Sequence, residues 1–161
     1  MSKTTYSTPQ LAMLVALRVA IGWHFMYEGV VKTFQSGWSS YAYLMDSKGF
    51  LSGTFQNMAS NPSTLKVIDF LNIWGLILIG FSLITGLFSR YAKIGAFLLL
   101  LMYFLAQPPL MNVTYIFPGE GSYLWVNKVL IEMLAVGVLF LFPTGHIIGL
   151  DRFINYYRNK K

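Results

Sequence analysis

The 161-residue chain is 55% hydrophobic and 11% charged, with a mean hydropathy of +0.55, whereas soluble domains carry about 25% charged residues; a fully water-exposed exterior is excluded. Length fits a single domain over residues 1–161, since ~100–200 residues make one unit, and the net charge of +6 is scattered rather than gathered on a polar face as nucleic acid would require. With no cysteine, disulfides, thiolate nucleophiles, iron–sulfur clusters and covalent haem are ruled out.

Four apolar stretches are long enough to cross a bilayer as helices, which takes about 17–25 residues. The first spans about 9–34, with Thr8 as the expected N-cap and Pro9 at the first helical position. Arg18 and the length of its apolar run set it apart from a cleavable signal peptide. A long connection follows, rich in Trp38, Tyr41, Tyr43, Phe50 and Phe55. Aromatic residues favour the membrane–water boundary, so this segment is expected in the outer interface or folded over the bundle mouth as a lid.

The second span covers about 65–88, after the breaker Asn61-Pro62-Ser63, and its Gly75, Gly80 and Gly86 suggest close helix packing. A short basic turn with Arg90 and Lys93 leads to the third, about 91–107, which stops at Pro108-Pro109. The fourth covers about 124–142 and ends at Pro143-Thr144-Gly145. Beyond it, Leu150, Phe153, Ile154 and Tyr157 recur at helical spacing among basic residues, the pattern of an interfacial amphipathic helix on an anionic leaflet.

The fold class expected is therefore an all-α membrane protein, a four-transmembrane-helix bundle. Basic residues mark cytoplasmic segments. The tail carries Arg152, Arg158, Lys160 and Lys161, while residues 108–123 contain no Lys or Arg and one acid, Glu120. Both termini are accordingly expected in the cytoplasm of a cell with the protein in its inner membrane.

Ionisable residues inside a span cost several kcal/mol unless paired or hydrated. Here they are Arg18, His24, Glu28 and Lys32 in span one, and Asp69 in span two with Asn72 and Trp74 nearby. Tyr103 and Gln107 follow in span three, then Asn127, Lys128 and Glu132 in span four. Alternating helix direction puts all except Arg18 in the outer half. Glu132 then lies roughly 10 Å deep at ~1.5 Å per residue. His24, Glu28 and Lys32 repeat at i, i+4, i+8 and form one stripe, and Asp69/Asn72, Tyr103/Gln107 and Lys128/Glu132 share faces in the same way. Lipid repels such stripes, so they should meet in a pocket open to the outer side. Polar groups can also hold a bundle together without any chemistry. The two histidines, His24 and His146, lie at opposite ends, which counts against a bis-histidine haem, and no metal site is expected.

Several strings resemble the DoxX/DoxD family. These are Leu17-Arg18 with Gly22-Trp23 and Tyr27-Glu28-Gly29, Trp74-Gly75-Leu76 with Gly86-Leu87-Phe88-Ser89-Arg90, Leu105-Ala106 before Pro108-Pro109, and Asn127-Lys128 with Ile131-Glu132 ahead of Gly149-Leu150-Asp151-Arg152. The resemblance implies a small four-helix membrane protein related to a subunit of thiosulfate:quinone oxidoreductase, with a membrane quinone as redox cofactor and a second redox subunit or a homo-oligomer as partner.

In that chemistry Trp23 or Trp74 would wall a quinone ring, and Lys128 or Asn127 would donate to a carbonyl. His24, Glu28 or Glu132 would relay protons, and Lys32 and Lys128 would hold an anionic substrate. Arg18, Asp69, Asn72, Tyr103 and Gln107 would complete the polar lining. Two other readings stand beside this one: a non-catalytic anchor or assembly subunit of a redox complex, and a small-molecule carrier. The thinning of polar groups beyond Arg18 counts against the carrier.

Overall fold

The computed structural model describes residues 6–116 and 124–158. Among them seven helices run in order: α1 Thr8–Phe34, α2 Tyr41–Met45, α3 Ser52–Ser60, α4 Pro62–Thr85, α5 Ser89–Ala106, α6 Lys128–Leu141 and α7 Asp151–Arg158. Of these α1, α4 and α5 are long and apolar enough to cross a membrane. The starts of α1, α5's turn and α7 gather at one end of the bundle, here the tail end; α2 and α3 cover the other, the mouth end.

Helix boundaries follow local chemistry. The N-cap of α1 is Ser7, one residue before the expected Thr8, and it forms a reciprocal capping box with Gln10. The segment Asn61-Pro62-Ser63 starts a helix rather than breaking one. Asn61 Oδ1 accepts from the Ser63 and Thr64 amides, and Pro62 has no amide to leave unsatisfied. α5 begins at Ser89, so Arg90 and Lys93 belong to its first turns rather than to a loop.

The expected fourth span is helical only over Lys128–Leu141. Leu124 and Trp125 sit at positive φ, Asn127 caps the Leu130 amide at 2.9 Å, and Phe142 ends the helix before Pro143. Fourteen residues rise about 21 Å, short of the ~30 Å hydrocarbon core.

The bundle is apolar on its outside as well as in its core. Val67, Phe70, Leu71, Trp74, Leu78 and Phe81 form an exposed apolar face of α4, while Asn72 points inward and is buried. Phe25, Leu76, Leu83, Ala96, Val136 and Leu139 fill the core.

The tightest helix pair is α1 against α4. A Cβ on Gly80 would lie 2.6 Å from the Gly22 carbonyl oxygen and would also strike the Met26 amide nitrogen. Close approach of two backbones requires such small residues. Gly75, expected to share this role, faces open space. Gly86 ends α4 in the left-handed region, φ 69°. At the mouth end Leu44, Phe55 and Ala59 of α2 and α3 pack with Ala106 at the end of α5, which fastens the connection onto the bundle.

These contacts separate two glycines in one helix. Gly75→Ala should stabilise the protein by up to about 0.5–1 kcal/mol through reduced chain entropy. Gly80→Ala should destabilise it by about 1–3 kcal/mol through forced separation of α1 and α4. Thermal unfolding in detergent checks this, and equal shifts for the two variants would contradict it.

Candidate functional site

α1 supplies three side chains from one stripe, and two of them are met by other helices. His24 Nδ1 lies 2.7 Å from Glu132 Oε1 on α6, an ion pair when the imidazole is protonated. The Lys32 ammonium donates to Asn72 Oδ1 on α4 at 2.8 Å, and Asn72 Nδ2 donates to the Tyr103 hydroxyl on α5 at 2.6 Å. This chain of donors leaves the Tyr103 hydrogen available. Lys32 also sits 4.7 Å from the Trp38 ring centroid and 5.8 Å from that of Tyr103, within range of cation–π attraction. Among the described residues no carboxylate pairs with Lys32.

These groups border a cavity of about 420 Å³. Its walls include His24, Glu28, Lys32, Asn72, Tyr103, Lys128 and Glu132, with Phe25, Leu76, Leu100 and Val129 as apolar lining. Glu28 and Lys128 are exposed and His24 half-buried, so the rim lies between α1 and α6, while Asn72 is buried at the back.

The connection after α1 closes the mouth end. Trp38, Ser39, Ser40 and Tyr43 all line the cavity. Ser40 is held by Asp69 Oδ1, which accepts from its amide at 2.8 Å and its hydroxyl at 2.5 Å. Tyr43 donates to the Tyr103 carbonyl at 3.2 Å, and burial pushes its hydroxyl pKa up.

A second set of bonds ties this connection to the segment after α5. Ser47 Oγ donates to the Ala106 carbonyl at 2.6 Å, Lys48 donates to the Thr114 carbonyl, and the Ile116 amide donates to Asp46 Oδ2 at 2.6 Å. That amide bond, with Lys48 at 3.1 Å, holds the Asp46 carboxyl below its usual range.

The tail end is closed by buried cations. Arg18 donates to Thr144 Oγ1 at 3.0 Å and to the Ile148 carbonyl at 2.8 Å, and Lys93 donates to the Leu139 carbonyl at 3.0 Å. Arg18 and Lys93 are 3% and 4% exposed, and neither lines the cavity. Asp151 accepts from the Phe88 and Ser89 amides and from Ser89 Oγ, which locks the tail onto the α4–α5 turn.

The thirteen positions expected from sequence thus divide. Seven meet at the cavity: His24, Glu28, Lys32, Asn72, Tyr103, Lys128 and Glu132. Asp69 supports its lid from behind. Asn127 is spent as a helix cap, and Gln107 donates to the Tyr43 carbonyl at 3.4 Å. Arg18 belongs to the tail-end closure, and Trp23 and Trp74 face outward, 59% and 49% exposed. The aromatic wall comes instead from Trp38 and Tyr43. The aromatic density of residues 35–63 was the signal for them, whereas nothing in the sequence marked Phe25 or Leu100. No group of three or more metal-ligating side chains occurs among the described residues.

Long apolar helices gathered around a polar cavity are the build of a membrane protein. The family model for DoxX matches residues 13–108, and the chain belongs to the DoxX family. No curated protein and no solved structure matches it.

The Asp46 contacts predict an acid-sensitive lid. A carboxyl whose folded pKa is depressed stabilises the fold above its unfolded value, ~3.9, and that contribution is lost as pH falls through the folded value. Asp46→Asn should therefore lower the Tm at pH 7, and the gap from the parent should narrow towards pH 3. A gap of constant size over that range would contradict the assignment.

Proposed function

We propose that the cavity binds a membrane quinone and that the chain is the quinone-binding subunit of a membrane oxidoreductase, with electrons supplied by a reduced compound such as thiosulfate, directly or through a second subunit. The observation that carries this reading is the pairing of uncommitted donors with an apolar slot. The spare N–H bonds of Lys32 and the hydroxyl hydrogen of Tyr103 converge beside Phe25, Leu76 and Leu100. A flat apolar ring carrying carbonyl acceptors suits that lining. The rim lies between α1 and α6, where Glu28 and Lys128 are exposed.

Reduction of a quinone takes up two electrons and two protons. On this reading Lys32 and Tyr103 hold a carbonyl oxygen, and Trp38 and Tyr43 keep bulk water out. The His24–Glu132 pair moves protons between the cavity and the rim, where Glu28 and Lys128 meet water. The reading also places the protein in the inner membrane with the cavity on the outer face. Arg90 and the basic tail residues Arg152, Arg158, Lys160 and Lys161 support a cytoplasmic tail end.

Purified protein should yield a stoichiometric quinone on organic extraction and mass spectrometry, and Lys32→Met and Tyr103→Phe should retain much less. Glu132→Gln should keep the quinone while slowing its reduction by roughly a hundredfold or more, the scale of a lost proton relay. A folded parent protein with no enriched quinone, in native membranes or in detergent, would overturn the proposal in favour of an anchor subunit.

A further inference from the structure

A second concavity lies at the tail end, remote from the polar cavity. It has a volume of about 740 Å³ and is bordered by Thr85, Ile147, Ile148, Leu150, Arg152 and Phe153. Its walls are fixed by main-chain bonds. The Leu150 amide donates to the Thr85 carbonyl at 3.0 Å, and the Asp151 amide donates to the Gly86 carbonyl at 3.0 Å. Arg18 anchors the Ile148 carbonyl from within the bundle at 2.8 Å. Gly86 and Gly149 make this docking possible, because a Cβ on Gly86 would lie 2.7 Å from the Gly149 Cα.

The groove sets exposed apolar surface, which water does not favour, beside an exposed cation. Ile148, Leu150 and Phe153 present apolar surface, 48%, 41% and 62% exposed. Beside them Arg152 is exposed, with no acidic partner among the described residues. The nearby acid, Asp151, is already engaged by Phe88 and Ser89. The residues following the fourth apolar stretch carry four basic groups, Arg152, Arg158, Lys160 and Lys161, against Asp151 alone.

We infer that this groove is a binding site for one anionic phospholipid, its phosphate on Arg152 and an acyl chain along Ile148, Leu150 and Phe153. The occupant is a lipid rather than a free anion because the apolar surface adjoins the cation. It is an anionic lipid because the local charge is uncompensated and positive. Since the groove is built from the tail and the α4–α5 turn together, an occupied site also clamps α7 against the bundle.

Native mass spectrometry of the full chain in detergent, with phosphatidylglycerol and phosphatidylcholine supplied equally, tests the site. The parent should retain one phosphatidylglycerol with roughly fivefold preference, the scale of one basic contact near a charged surface. Arg152→Gln should abolish the preference and Arg152→Lys should keep most of it. Phe153→Ser should weaken retention of both lipids, which keeps the test informative if Arg152→Gln folds poorly. Glycerol phosphate, which lacks acyl chains, should fail to compete. Equal retention of the two lipids by the parent, an unchanged preference in Arg152→Gln, or competition by glycerol phosphate would each overturn the proposal.

Discussion

Hydrocarbon cannot solvate a charge, and that constraint orders this bundle. α1 carries His24, Glu28 and Lys32 along one stripe, a pattern no lipid-facing helix sustains. Each of the two partly buried members is met by a different helix: His24 by Glu132 of α6 at 2.7 Å, and Lys32 by Asn72 of α4 at 2.8 Å. Asn72 in turn reaches Tyr103 of α5. The polar contacts thus fix the rotation of all four long elements around one centre. Their strength rises in a low-dielectric surrounding, as does the cost of leaving any one unmade.

The two ends of the molecule solve the same problem in opposite ways. At the mouth end, polar groups surround open volume, and a strap of two short helices covers it through Ser40, Tyr43 and Ser47. At the tail end, Arg18 and Lys93 donate to a hydroxyl and to main-chain carbonyls near the end of α6 and in the tail, and neither lines the polar cavity. Between them Gly80 lets α1 and α4 approach at backbone distance. The polar cavity is thus covered at the mouth end and separated from the tail end by buried cations that donate to a hydroxyl and to main-chain carbonyls.

Much of this was legible in the residues because lipid imposes a simple rule on polar side chains. The stripe on α1 and the i, i+4 pair Lys128/Glu132 could be placed at one depth from helix rise alone, and they line one cavity. What escaped sequence reading was the direction of aromatic rings and the use of polar groups as caps. Trp23 and Trp74 lie on spans yet face outward, since a helix position gives depth without azimuth when apolar residues surround it on all sides. Asn127 looked like a site residue and proved to be an N-cap, because the same amide serves either purpose. Arg18 found its partners 126 and 130 residues away in the tail, a pairing that only tertiary structure reveals.

The chain contains no cysteine, so a single engineered thiol reports on one place. Val129→Cys puts that thiol in the cavity wall, in vesicles of known orientation exposed to a membrane-impermeant maleimide. The account predicts labelling from one face only, slowed by a short-chain quinone. Labelling from both faces, or a rate indifferent to quinone, would contradict a one-sided quinone cavity.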